Sequence, residues 1–256
     1  MKKRFQKMVA MTLTGVMLVC TATPAFAQSV EIKNEVAVQT AMENIAVIES
    51  ELAKQNTSVV EALESGKQRL ELMLATTTDV EEKEKVEALI NAYEEFIVIQ
   101  NQTSSKSIMT RDSDYDLYIV AAIAFFEARG WYLSAELLTH MFEDQTGRDY
   151  RPINSDVLYD TSMYQTLRAK AAGTYTSGAF SGGSSAAEKD AYYAIHNFDA
   201  YITSSTIAIE DEYNFIDDSD SAYKIPSAVG IAISVFRSAE RAGVLTPYLV
   251  VINLDK

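Results

Sequence analysis

Between Thr206 and Phe215 the side chains keep a period of two. Ile207, Ile209, Asp211, Tyr213 and Phe215 fall on one side of an extended chain, and Thr206, Ala208, Glu210, Glu212 and Asn214 fall on the other. That period fits a strand with one face on a core and does not fit a helix. The stretch before it, Asp190 to Ile202, is rich in Tyr, Ile and Phe, and Thr203-Ser204-Ser205 separates the two. The spacing predicts a long hairpin over 190–215. Its first strand would place Tyr192, Ala194, His196, Phe198 and Ile202 on one side and Tyr193, Ile195, Asn197 and Tyr201 on the other. Both sides are semi-apolar, as in an inner strand. Tyr248 to Leu254, YLVVINL, is apolar on both faces and is expected inside the same sheet. The pattern also sets Asp211 in line with core residues. Burying a lone carboxylate costs several kcal/mol. Asp211 therefore needs partners or a cleft, unless a bulge near Glu210 shifts the register.

The N-terminal part of the chain follows a different rule. Residues 30 to 102 hold one Gly, no Pro and no Trp, and their apolar residues recur at helical spacing: Ile45, Ile48 and Leu52; Val59, Leu63 and Leu70; Val86, Leu89, Ile90, Tyr93, Phe96 and Ile97. Three helices are expected near 30–55, 57–75 and 79–101, with Asp79 capping the third. They form either a small bundle with solvated outer faces or a stalk, partner face or pro-segment. Gln102 to Asp114 is polar and aperiodic, which suggests a boundary. The expected organisation is a helical region over 28–105, a linker over 106–114 and a second domain over 115–256. In that domain Asp116–Arg129 is nearly all apolar and should be a buried helix ended by Gly130, and Trp131–Glu143 should be a second. Ser162 and Gln165 have capping-box spacing for a third helix that stops at Gly173. Ser177–Ser185 looks like a flexible loop, and Pro226 opens a helix that runs to Ala242. The fold class is α+β: helices packed on a mainly antiparallel sheet, preceded by a helical hairpin or bundle.

Residues 1–27 look like an export signal. Lys2, Lys3, Arg4 and Lys7 precede an uncharged apolar run, and Ala25-Phe26-Ala27 is a small-x-small cleavage site. The expectation is a secreted bacterial protein, extracellular or attached to the cell surface, with no membrane-spanning segment in its mature chain. The whole chain has 22 basic and 36 acidic residues, net −14. Loss of those four bases leaves 18 against 36, net −18. Such a surface repels phosphate backbones, so nucleic acid is excluded as a partner. The single cysteine, Cys20, leaves with the signal, so the mature chain must fold without a disulfide.

With no Cys and no HExxH spacing, a zinc site has little to build on, and no GxSxG elbow marks a serine nucleophile. His140 sits on an expected helix among core residues, where a packing role is the simpler reading. His196 lies among aromatics on the expected hairpin. Glu210, Asp211, Glu212, Asp217, Asp218 and Asp220 form either a solvated acidic turn or a site for a hard cation or a general base.

The run Asp211-Glu212-Tyr213-Asn214-Phe215 resembles the D-x-Y-D-F signature of the colicin M family. The likeness extends, in order, over residues 130–256: LSAELLTHMFE, the segment to Lys170, the hairpin, and VLTPYLVVINL. The resemblance implies a hydrolase that uses magnesium to cut a phosphoester or pyrophosphate of a lipid-linked peptidoglycan precursor. Under it Asp211 is the essential acid and metal ligand, Tyr213 is the family's tyrosine, and His196 would stand in for the family's histidine. Asn214 replaces the second aspartate, and Asp220-Ser221 stand where the family has a His-Arg pair. The other reading is a non-catalytic module that binds an envelope component or protein on the same scaffold.

Overall fold

The computed structural model describes residue 41 and residues 43–103, 111–215 and 233–256. The expected signal, the acidic positions Asp217, Asp218 and Asp220, and Pro226 lie outside these residues. The helices are α1 (43–53), α2 (Val59–Thr76), α3 (Val80–Thr103), α4 (Arg111–Ala128), α5 (Tyr132–Glu143), α6 (Ser162–Arg168), α7 (Ala186–Ala194) and α8 (Ile233–Arg241). The strands are β1 (Thr174–Ala179), β2 (Asn197–Ile202), β3 (Thr206–Tyr213) and β4 (Tyr248–Asp255), and a 3₁₀ turn spans Ser155–Asp160. All pairings are antiparallel in the order β1-β2-β3-β4. The class is α+β, as the periodicities imply.

Local chemistry sets the helix starts. Ser58 caps α2 in a two-way box: its Oγ accepts from the Glu61 N–H at 3.2 Å, and Glu61 Oε2 accepts from the Ser58 N–H at 2.8 Å. Asp79 accepts from the Glu82 N–H at 2.9 Å at the start of α3. The cap of α6 lies one residue earlier than the Ser162–Gln165 spacing suggests. Thr161, not Ser162, caps α6 by accepting from the Tyr164 N–H.

The long hairpin needs correction. Asp190–Ala194 belongs to helix α7, capped by Ser185, whose Oγ accepts from the Glu188 N–H at 3.1 Å. Ser-Ala-Ala-Glu is a helix-start signal that outweighs the aromatic content after it. The partner of β2 on its far side is β1, in a stretch whose C-terminal half was expected to be loop. Gly178 fits there because a Cβ would sit 2.6 Å from Phe198 Cζ on the next strand. β4 lies at the end of the sheet and not inside it. Its outer edge is bridged by Tyr150, whose N–H donates to the Leu249 carbonyl at 2.8 Å and whose carbonyl accepts from the Val251 N–H at 2.9 Å. Asp114 is already helical, so α4 begins inside the expected linker.

Helix α4 is the centre of the core. Ile119, Val120, Ala121, Ala122, Ile123, Ala124 and Phe125 are all fully buried, so no side of the helix faces water here. α2 and α3 cover it from one direction, and α5 and α8 contact it as well. α5 in turn reaches the sheet, where the Tyr248 hydroxyl donates to the Leu137 carbonyl at 2.7 Å.

A polar chain crosses this apolar interior. The Glu127 carboxylate on α4 accepts from Tyr93 Oη at 2.6 Å and from Arg69 Nη2 at 2.9 Å. The Arg69 guanidinium lies 4.0 Å over the Tyr132 ring and also reaches Asn154 Oδ1. Gly66 makes room for this group, because a Cβ would fall 2.7 Å from Tyr93 and 2.8 Å from the Glu127 carboxyl carbon. Gly66→Ala should destabilise the protein by about 1–2 kcal/mol in urea unfolding, although alanine is the better helix former. A gain in stability would contradict this packing.

Asp190 on α7 caps α5 from outside. It is 1 % exposed and accepts from the Leu133 N–H, the Ser134 N–H and Ser134 Oγ at 3.1, 2.8 and 2.7 Å. Burial raises its carboxyl from 3.8 to about 6, outweighing the three donors that favour the ionised form. The folded protein then keeps a proton that the unfolded chain releases. The contribution is greatest below about pH 4 and is lost as the pH rises through about 6. Between those pH values the stability of the wild type relative to Asp190→Asn should fall by about 1–3 kcal/mol. A difference that stays flat or rises would contradict the assignment.

Candidate functional site

The alternation read from the sequence places Asp211 correctly. β3 pairs with β4 without interruption from Thr206↔Asp255 to Tyr213↔Tyr248, so there is no bulge at Glu210, and Asp211 lies opposite Val250. Glu210 and Glu212 are exposed on the far face, whereas Asp211 is half-buried on the side of Ile207, Ile209 and Tyr213. The end of the strand is anchored by α8. The Phe215 N–H donates to Glu240 Oε2 at 2.6 Å, and the Phe215 carbonyl accepts from Arg237 Nε at 2.9 Å. Phe215 also stacks on Phe236 at 4.8 Å.

Tyr213 packs against Phe215 and Tyr248, each with ring centroids 5.5 Å away. Tyr248 is fully enclosed. Burial first, then the neighbouring Tyr213, Tyr150, Glu136 and Asp211, hold its hydroxyl well above the usual tyrosine range. Asp211 and Tyr213 therefore share an environment centred on Tyr248.

His196 follows α7, just before β2, and its ring is edge-on to Tyr192 at 4.8 Å. The histidine whose ring meets Tyr248 is His140 on α5, edge-on at 4.6 Å, and it also stacks on Tyr150 at 3.9 Å. The fold thus brings His140, which the sequence suggests is a packing residue, to the tyrosine that Asp211 adjoins. The available signal was the four-residue spacing of Glu136 and His140, which sets both on one side of α5.

Glu136 fixes that wall. It is 2 % exposed and accepts four hydrogen bonds: from Tyr150 Oη at 2.8 Å, the Ile153 N–H at 2.7 Å, and the N–H and Nδ2 of Asn154 at 2.9 and 2.7 Å. Burial nevertheless pushes its carboxyl up. Outside the wall a cleft of about 600 Å³ opens between α3 and α5, lined by Glu81, Glu84, Lys85, Leu89, Glu95, His140, Glu143, Asp144 and Tyr150 among others. Glu143 is raised by burial and by the nearby Glu95 and Asp116. The sequence hid this cleft because its walls come from helices about fifty residues apart.

The described residues contain no group of three or more His, Cys, Asp or Glu side chains able to hold a metal ion. Magnesium needs less from a protein, since one or two carboxylates can suffice when substrate phosphates and water complete the shell. Asp211 could supply one such carboxylate; Glu210 and Glu212 face away from it. No described helix is long and apolar enough to cross a membrane. Comparisons with protein-family models, curated proteins and solved structures find no match.

Burial lowers the His140 imidazole below 6.5, against the opposing pull of Asp144 at 3.4 Å and of the Arg148 backbone. The ring is then neutral at pH 7 and able to accept a proton. An NMR titration of His140 should give a midpoint below 6.5, and a midpoint at or above that value would contradict its packing.

Proposed function

We propose that this is a secreted bacterial hydrolase of the colicin M type, acting on a phosphoester or pyrophosphate bond of a lipid-linked envelope precursor. One observation carries the reading: Asp211, the acid of the motif, is held half-buried on the core side of β3 in unbroken register, next to Tyr213. A carboxylate in that position is constrained in direction and partly withdrawn from water, as a reacting group must be.

In this reading Asp211 accepts a proton from the attacking water. The water oxygen bonds to phosphorus, and the phosphorus–oxygen bond to the leaving group breaks. The departing oxygen takes up a proton. Tyr213 and Tyr248 position the strand end and exclude water on its inner side. Magnesium, when bound through Asp211 and the substrate phosphates, would neutralise charge on the phosphoryl oxygens. His196, edge-on to Tyr192, is the imidazole that would take part in proton transfer.

A second reading is a binding module that keeps the scaffold without the chemistry. It is favoured by Asn214, which cannot act as an acid or base where the family has an aspartate. The two separate in one assay, in which mature protein and Asp211→Asn are incubated with a lipid pyrophosphate and magnesium. The hydrolase reading predicts phosphate-containing product from the wild type and a loss of about 100-fold or more in the variant, with its circular dichroism unchanged. Absence of product from both folded proteins, with retained binding of the lipid, would establish the module instead.

A further inference from the structure

The two ends of the sheet differ. The edge of β4 is occupied by Tyr150, whereas no described strand pairs with the outer edge of β1. The Phe180 N–H donates to the His196 carbonyl at 2.9 Å, which sets the alternation of the β1–β2 ladder. Thr176 and Gly178 then direct their backbone groups to β2, and Tyr175, Ser177 and Ala179 direct theirs outward. β1, TYTSGA, carries none of the usual edge protection: no Lys, no Pro and no bulge.

The exposed sheet face beside that edge has a definite chemistry. Tyr175 is 67 % exposed and Tyr201, directly opposite on β2, is 49 % exposed. Asp199 lies opposite both Ser177 and Glu210. It accepts from Tyr175 Oη at 2.7 Å and from Ser177 Oγ at 2.6 Å. The register adds Glu212 to this face, and neither Lys nor Arg occurs in any of the four strands. A second copy of this chain would bring acid against acid, on a protein whose mature net charge is −18. A basic strand would meet carboxylates and the faces of two tyrosines.

We infer that β1 receives an extended, lysine- or arginine-bearing peptide segment by strand addition. Main-chain bonds form to Tyr175, Ser177 and Ala179, and alternate basic side chains lie over Tyr175 and reach past the small Ser177 toward Asp199. This surface is on the opposite side of the sheet from Asp211, so it does not depend on the proposed hydrolysis.

The test is fluorescence anisotropy on the mature chain with a labelled nonapeptide alternating lysine and valine, and with its glutamate counterpart. The lysine peptide should bind with salt-sensitive affinity, and the glutamate peptide should not. Ser177→Pro removes one outward N–H without changing charge and should weaken binding at least tenfold while circular dichroism stays native. Asp199→Asn, at an exposed site, should weaken it severalfold and reduce the salt dependence. Equal binding of both peptides, or unchanged affinity in the two folded variants, would overturn the inference. So would a dimer in sedimentation that Ser177→Pro dissolves, since a second copy would then own the edge.

Discussion

A helix that is apolar on every side can exist in water only if something covers each side. α4 imposes that demand on this chain. From Ile119 to Phe125 it leaves no residue exposed, and the elements around it serve as its cover. Burial of this helix and its neighbours is the main stabilising term, as it must be in a chain whose single cysteine can form no internal disulfide. The N-terminal helices therefore have a structural duty. Leu63, Leu70, Tyr93 and Phe96 belong to the same core cluster as α4 and the sheet.

Polar groups give that core its direction. The link from Tyr93 through Glu127 to Arg69 and Asn154, and from Asn154 to Glu136 and Tyr150, joins α2, α3, α4 and α5 to the segment that closes the sheet. Burying such charges is not in itself favourable, because desolvation offsets much of the attraction. Its effect is to penalise other arrangements, since any slip of one helix strands a charged group without its partner. The same chain sets the wall on which His140 stacks. The packing of the N-terminal helices and the environment of the candidate site thus meet in the same residues.

The α+β class, most helices, the direction of Asp211 and the burial of 116–128 were legible in the sequence because period and capping residues encode them directly. Asp190–Ala194 is helical despite its strand-like aromatic content, because the Ser185–Glu188 helix start outweighs it. β1 was partly missed because Ser and Gly suggest a loop until Phe198 is seen lying over Gly178. The position of β4 at the sheet end depends on Tyr150, about a hundred residues away, and no local pattern records it. The surroundings of His140 leave no local pattern for the same reason, since Tyr248 and Tyr150 assemble around it through long-range pairing.

The dependence of the fold on a covered α4 is tested most directly by removing its cover. A chain beginning at Arg111 keeps every described strand and all of residues 130–256 but lacks α1, α2 and α3. The account predicts that it loses near-ultraviolet circular dichroism, binds a hydrophobic dye and unfolds without a cooperative transition in urea. A sharp transition with the native near-ultraviolet spectrum would contradict it.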